Sequence, residues 1–233
     1  MANIPILFED EDIIAVDKPA GVLSQATPDP NRPHIVSILK QQIGPQNSQL
    51  PELYLHHRLD KDTSGVLILG KSKRANAPLT EIFREHQIQK TYVALSLRKE
   101  NSRNLETSPR FTVENHLAPV RGNNKQLMRM VTVNKGGWKA QTHFQVLETF
   151  KDFYLIEAKP VTGRTHQIRV HLAGEKLPIA GDFLYGGKST QVPRLLLHAQ
   201  TLSFLHPITK KELLIEAPLP KDFKSILERL KKS

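Results

Sequence analysis

Residues His57–Ser72 read HRLDKDTSGVLILGKS, and the two halves of this stretch fit incompatible patterns. The second half, GVLILGKS (Gly65–Ser72), matches the phosphate-cradling pattern G-x-x-x-x-G-K-[ST]. The first half, HRLDKDTSG (His57–Gly65), reads as a corner that presents a carboxylate. A phosphate loop needs a glycine-rich interior with free backbone N–H groups, placed after a strand and opening a helix. Here the interior is Val66, Leu67, Ile68 and Leu69. Those residues favour a buried strand, which spends its N–H groups in the ladder. The strand therefore lies inside the motif, where it should precede it. Ile13–Asp17 (IIAVD) resembles the acidic strand that holds magnesium in nucleotide hydrolases, but so loose a pattern matches by chance. With the nucleotide reading set aside, Gly70 becomes a strand-end turn residue and Lys71 a surface base.

Working outward, short apolar runs flanked by turn residues recur. They are IPILF near the start, IIAV (Ile13–Val16), VLIL (Val66–Leu69), YVALSL (Tyr92–Leu97), HFQVLE (His143–Glu148), FYLIEA (Phe153–Ala158), LLLHA (Leu195–Ala199) and ELLIEA (Glu212–Ala217). Their length and their Val, Ile, Phe and Tyr content predict strands. TFKD between HFQVLE and FYLIEA predicts a hairpin. Helical spacing appears at Ile35, Ile38, Leu39 and Ile43, and at Ala75, Leu79, Ile82 and Phe83 with Ser72 or Asn76 as N-cap. It appears again at Phe223, Ile226, Leu227 and Leu230, with Asp222 as cap. The fold class is α+β, with a mixed, mostly antiparallel sheet flanked by helices. Lys99–Gly137 is polar and basic, carrying Arg103, Arg110, Arg121, Lys125, Arg129 and Lys135. It reads as a loop, either a solvated insertion or an arm that contacts nucleic acid.

The chain has 233 residues, with 33 Lys plus Arg against 23 Asp plus Glu, a net charge of +10 that favours a polyanionic partner. There is no cysteine, so disulfides, thiolate metal sites and cysteine nucleophiles are excluded. The N-terminus, MANIPILFEDEDIIAV, has acids where a signal peptide would be basic, and no apolar run approaches a membrane span. A cytoplasmic protein is the expectation.

In HRLDKDTSG, Arg58 and Asp60 lie two apart, so an extended segment points both side chains the same way. Asp62, Thr63 and Ser64 are turn formers, and Gly65 relaxes the backbone. A surface Arg–Asp pair beside a turn would show the same letters. A second segment, VTGRTHQIRVHLAG (Val161–Gly174), adds weight to the functional reading. Thr162 is a candidate N-cap, and Ile168, Val170 and Leu172 can give a helix a buried side. Arg164, His166, Gln167, Arg169 and His171 make it polar and cationic, and a helix N-terminus carrying Arg164 would attract a carboxylate or a phosphate.

HRLDKDTSG, IQKTYVAL, TGRTHQIRVHL, GDFLYGG and LHAQTLSFLHP occur in this order. Together they resemble the successive motifs of the RluA-type RNA pseudouridine synthases, from DKPAG (Asp17–Gly21) to APLP near Pro220. The resemblance implies a single pseudouridine synthase catalytic domain over residues 1–233, with no accessory RNA-binding domain ahead of it. It implies an isomerase that converts uridine to pseudouridine in tRNA, large-subunit rRNA or both. A reaction that moves no atoms in or out needs no redox cofactor or metal, and a monomer without a membrane span is the default expectation. By the same resemblance Asp60 is the catalytic aspartate, and Arg58 helps displace and replace the flipped nucleotide. Tyr92 packs on the target base and takes a proton, and Arg164 pairs with the aspartate. His166, Gln167 and Arg169 fall in the same motif as RNA- or base-binding residues. The chemistry agrees, because isomerisation adds and removes no atoms and needs an ionised carboxylate shielded from water, kept charged by an adjacent Arg. Attack on ribose carbon 1′, attack on uracil carbon 6 and a glycal route all remain open. The alternative is an RNA-binding or RNA-folding module with a relic site.

One departure stands in LAGEKLPIAGD, where Glu175 and Lys176 replace the family's usual Ile-Gly pair, so that turn is expected to differ. His56, His57, His166, His171, His198 and His206 lie in or near motifs, but none has tight ligand spacing backed by acids, which favours structural roles. Trp138, the only tryptophan, fits a base-stacking role and a plain exposed or core role equally well.

Overall fold

The strand β4 (Ser64–Gly70) is buried along its whole length, as its uninterrupted apolar run predicts. The computed structural model describes residues 3–29, 31–44, 52–99, 102, 105, 109–121 and 128–232. Within these, the chain forms two compact units. One comprises residues 1–90 and 198–219, the other 91–197 and 220–233.

In the first unit, β2 (Ile13–Lys18) runs antiparallel to β4 from Ile13↔Gly70 to Lys18↔Gly65, and β1 (Ile6–Glu9) pairs with β2. On the other edge of β4, β3 (Tyr54–Leu55) pairs antiparallel near Gly70 and β10 (Leu197–Leu205) pairs parallel near Gly65. β11 (Glu212–Glu216) completes this sheet against β10. α1 (Ile35–Ile43) has the predicted span and is capped by His34. α2 (Lys73–Arg84) is capped by Ser72, whose hydroxyl accepts the Ala75 N–H. Its Ala75, Leu79 and Ile82 bury against Ile13, Ala15, Val66 and Ile68.

The GVLILGKS letters serve this architecture. Val66–Leu69 are ladder residues. The Lys71 ammonium donates to Glu9 Oε1 (2.6 Å) and the Asp10 carbonyl (2.7 Å). The Ser72 hydroxyl, besides capping α2, donates to Asp12 Oδ1 at 2.6 Å. Hydrogen bonding from Arg74 is the main cause holding the Asp12 carboxyl below its ordinary pKa.

The second unit is an antiparallel sheet in the order β5 (Gln89–Leu97), β9 (Phe153–Pro160), β8 (Trp138–Thr149), β6 (Arg110–Arg121), β7 (Met128–Val133). The predicted hairpin closes between Thr149 and Phe153. α3 (Gln167–Gly174) lays Ile168 and Leu172 on Phe111, Val113, Phe144, Tyr154 and Ile156. α4 (Lys221–Leu230) buries Phe223, Ile226 and Leu227.

Three expectations are corrected. The stretch read as a loop contains β6 and β7, because Phe111, Val113 and Leu117 are buried while Thr112, Glu114 and His116 are exposed, an alternation hidden among basic residues. Arg103 and Lys125 lie outside the described residues. Thr162 does not cap α3. The cap position is His166, in the left-handed conformation (φ 54) without a side-chain cap bond. Asp222 lies in the first turn of α4 with Pro220 at the cap, because Arg194 takes its carboxylate in a two-pronged pair (2.6 and 2.9 Å). That pair still favours the positive helix end. At the Glu175-Lys176 turn, Lys176 adopts φ 61, a conformation that glycine takes at lower cost.

Gly65 has φ 115, and a Cβ there would stand 2.1 Å from the Ala199 carbonyl oxygen. Gly65→Ala is therefore expected to cost about 3 kcal/mol or more, from overpacking plus backbone strain, as read by denaturant unfolding.

Candidate active site

The backbone around Asp60 is held from both sides. Ser24, 4% exposed, bonds both polar groups of Leu59. Its hydroxyl donates to the Leu59 carbonyl at 2.7 Å and accepts the Leu59 N–H at 3.1 Å. On the other flank the Lys61 carbonyl accepts the Gly21 N–H and the Lys18 ammonium, both at 2.9 Å. The Asp60 carbonyl closes the corner by accepting the Thr63 N–H at 3.1 Å. Lys18 is 0% exposed, and its ammonium also donates to the carbonyls of Val22 (2.8 Å) and Pro19 (3.0 Å). Three donors thus meet three acceptors, the condition under which a buried ammonium is tolerated. The Asp60 side chain is half-buried, Arg58 is exposed, and Leu59 between them is buried.

His57 ties this segment to the sheet. Its Nε2 accepts the Ile68 N–H at 3.0 Å and its ring stacks on Phe83 at 4.5 Å. Accepting at Nε2 leaves the proton of the neutral ring on Nδ1. Burial, then the nearby Lys90 charge, hold its pKa down at about 3. His198 is buried at the start of β10 opposite Ser64, with Nδ1 2.9 Å from Ser64 Oγ and Nε2 3.1 Å from the Ala217 carbonyl. The His206 Nδ1 accepts two N–H groups, from Ile208 and Thr209. These histidines are structural, and among the described residues no group of three or more His, Asp or Glu is placed to hold a metal. Nor is any described helix long and apolar enough to cross a membrane.

Tyr92, Arg164, His166, Gln167 and Arg169 belong to the second unit. Tyr92 stands on β5 opposite Ala158 and packs half-buried on the core. Arg164 is half-buried, its Nε donating to the Lys139 carbonyl at 3.1 Å. Gln167 is buried with all four hydrogen-bonding positions filled. Oε1 accepts from Thr162 Oγ1 (2.6 Å) and the Arg164 N–H (3.0 Å), and Nε2 donates to the Gln141 carbonyl and Thr142 Oγ1, both at 2.9 Å. It thereby fixes the backbone of Arg164. Arg169 forms a two-pronged pair with the fully buried Asp182 (2.7 and 2.9 Å), and that carboxylate also accepts the N–H groups of Leu184 and Tyr185. Gln167 and Arg169, expected on RNA, are thus both engaged inside the protein. Trp138 is 51% exposed at the start of β8.

Sequence reasoning gave no task to Lys18, Asp182 or Tyr185, although DKPAG and GDFLYGG contain them, and Ser24 carried no signal at all.

A family model described as RNA pseudouridylate synthase matches residues 12–174. The chain belongs to the RNA pseudouridine synthases. Among relatives, the Bacillus subtilis uncharacterized RNA pseudouridine synthase YlyB is 34% identical over 99% of this chain and 74% of its own length. The ribosomal large subunit pseudouridine synthase C of Buchnera aphidicola subsp. Schizaphis graminum is 37% identical over 97% and 70%. The solved structure of human RNA pseudouridylate synthase domain containing 4 superposes with a TM-score of 0.76 at 26% identity, covering 97% of this chain and 93% of that one. These relatives bear out the RluA-type assignment and the mixed, mostly antiparallel α+β fold. Enzymes of this family are isomerases.

Two measurements test the site's framework. Lys18→Met leaves the Pro19 and Val22 carbonyls without their ammonium donor and Lys61 with the Gly21 N–H alone, and is expected to cost about 3 kcal/mol or more in denaturant unfolding. The second concerns acid. His57 is held at about 3, and His171, buried beside Thr142 and Asn115, at about 4, both below the ordinary 6.5. Between those values the unfolded chain binds protons that the folded chain refuses. The stability contributed by the neutral rings is therefore complete above about pH 6.5 and lost as the pH falls towards 4. Thermal melts from pH 7.5 to about 4.5 should show this decline, and His57→Gln should flatten it.

Proposed function

We propose that this synthase isomerises uridine in tRNA, large-subunit rRNA or both, with Asp60 as the acting carboxylate. The observation that carries the reading is the corner around Asp60. Ser24, Gly21, Lys18 and Thr63 fix the backbone at residues 59 to 61 while the carboxylate stays half-buried. A rigid backbone with one reactive side chain is what a positioned nucleophile requires. In the reaction the bond from uracil nitrogen 1 to ribose carbon 1′ breaks, a bond from carbon 5 to carbon 1′ forms, carbon 5 loses a proton and nitrogen 1 gains one.

Tyr92, set in the core beside its strand partner, packs on the base and removes the carbon 5 proton. Arg164, its backbone fixed by Gln167, is the arginine that meets the Asp60 carboxylate in the reaction. Arg58 takes the place of the flipped nucleotide, offsetting part of the cost of unstacking. The segment from His166 through Gln167 and Arg169 meets the RNA, with Gln167 and Arg169 acting through the geometry they impose. The net charge of +10 suits the phosphate backbone. The name of the Buchnera relative favours large-subunit rRNA as the first substrate to test. The enzyme works as a cytoplasmic monomer, with residues 1–233 acting as one catalytic domain.

The test is release of tritium from RNA labelled at uracil carbon 5, because forming the new bond ejects that label into water. Wild-type protein is expected to release it, and Asp60→Ala to lose at least about a thousandfold in rate. Less than a tenfold loss would remove Asp60 from the chemistry, and RNA binding without any release would favour a module with a relic site.

A further inference from the structure

Tyr185, in GDFLYGG, has no assigned task, yet it is 7% exposed and sits among polar groups. Its hydroxyl accepts the N–H of Met130 on β7, the last strand of its sheet, at 2.9 Å. The same hydroxyl lies 2.9 Å from His166 Nδ1, and the two rings meet edge to face at 5.6 Å. The guanidinium groups of Arg129 and Arg169 lie 5.4 and 5.1 Å from its ring centre. Asp182, which accepts the Tyr185 N–H, also clamps Arg169. His166 is the non-glycine residue in left-handed conformation that separates Arg164 from α3. A β-carbon residue holds that conformation only where its surroundings impose it.

We propose that Tyr185 is a positioning residue for the reaction. A one-way hydrogen-bond chain, from Met130 N–H to Tyr185 Oη and from Tyr185 O–H to His166 Nδ1, locks His166 in its left-handed turn and so aims Arg164. Oη accepts from Met130 and gives its single proton to Nδ1, which places the His166 proton on Nε2. The chain also couples the paired strands β6 and β7 to the Arg164 segment, so that displacing one disturbs the other. The catalytic part of this proposal rests on the role given to Arg164 above. The hydrogen-bond chain itself does not.

The experiment has an activity arm and a spectroscopic arm, both on the full chain. Tyr185→Phe keeps the ring and its two guanidinium neighbours and removes only the hydroxyl. Single-turnover tritium release should fall by about tenfold or more, with the dissociation constant for the RNA changed by less than about threefold. His166→Ala should give a similar loss, and the double variant should be no worse than the weaker single within about threefold, since both break one chain. Losses that multiply, or RNA affinity that falls in step with rate, would overturn the proposal. In the spectroscopic arm, the imidazole 15N signals that vanish in His166→Ala should show an unprotonated, hydrogen-bonded Nδ1 in the wild type. A proton found on Nδ1 would overturn it. This arm also decides the matter if Tyr185→Phe fails to fold. If wild-type protein releases no tritium, the reading of the reaction falls, and the 15N signals still decide the chain.

Discussion

A fully buried ammonium group organises the loops on which the candidate nucleophile depends. Taking the Lys18 charge out of water is costly unless each N–H finds an acceptor, and the acceptors come from Pro19, Val22 and Lys61. Two are local and force the chain after β2 into a tight loop. The third lies 43 residues away and pins the loop after β2 to the corner after Asp60. Gly21 makes the second tie, and its φ of 87 is a conformation that glycine adopts without strain. Because the charge cannot be left unpaired, the loops cannot drift apart without exposing it. Placement of the Asp60 corner thus follows from a solvation requirement met elsewhere in the unit.

Much of the fold could be read from sequence, because burial writes itself as periodicity. Each predicted apolar run supplied a strand, although β10 begins only at Leu197, and α1 has its predicted span, with Ile35 and Leu39 buried. β6 and β7 escaped because their outward positions carry Arg110, Glu114, His116 and Arg129, and a window average sees only polarity where alternate residues are buried. The caps failed for a different reason. Thr162 and Asp222 have the right chemistry, but Gln167 and Arg194, remote or awkwardly spaced in sequence, claim their side chains first. Of the candidate site, the motif letters marked the segments. The division of labour inside them was invisible, because Ser24 and Tyr185 act through partners 35 and 55 residues away.

The overlapping patterns at Gly65 show how context settles a motif. G-K-S residues bind phosphate only when the preceding backbone offers unpaired N–H groups. Here those groups are spent in the ladders of β4 and, for Ile68, on His57 Nε2, and the lysine and serine are drawn to Glu9, Asp10 and Asp12. The same three letters therefore close the end of a central strand and start α2.

Saturation applies the same reasoning to the second unit. A side chain can contact a substrate only with donors or acceptors its own fold leaves over. Gln167 has none, since Thr162, Arg164, Gln141 and Thr142 fill all four positions. A residue so completely engaged acts within the fold, by removing freedom from its neighbours. Arg164 inherits a fixed backbone, and its guanidinium is anchored at Nε on the Lys139 carbonyl. Replacing Gln167 by Glu would preserve the shape but set an acceptor where two donors are required, facing the Gln141 carbonyl. The loss would then appear first in the placement of the Arg164 backbone.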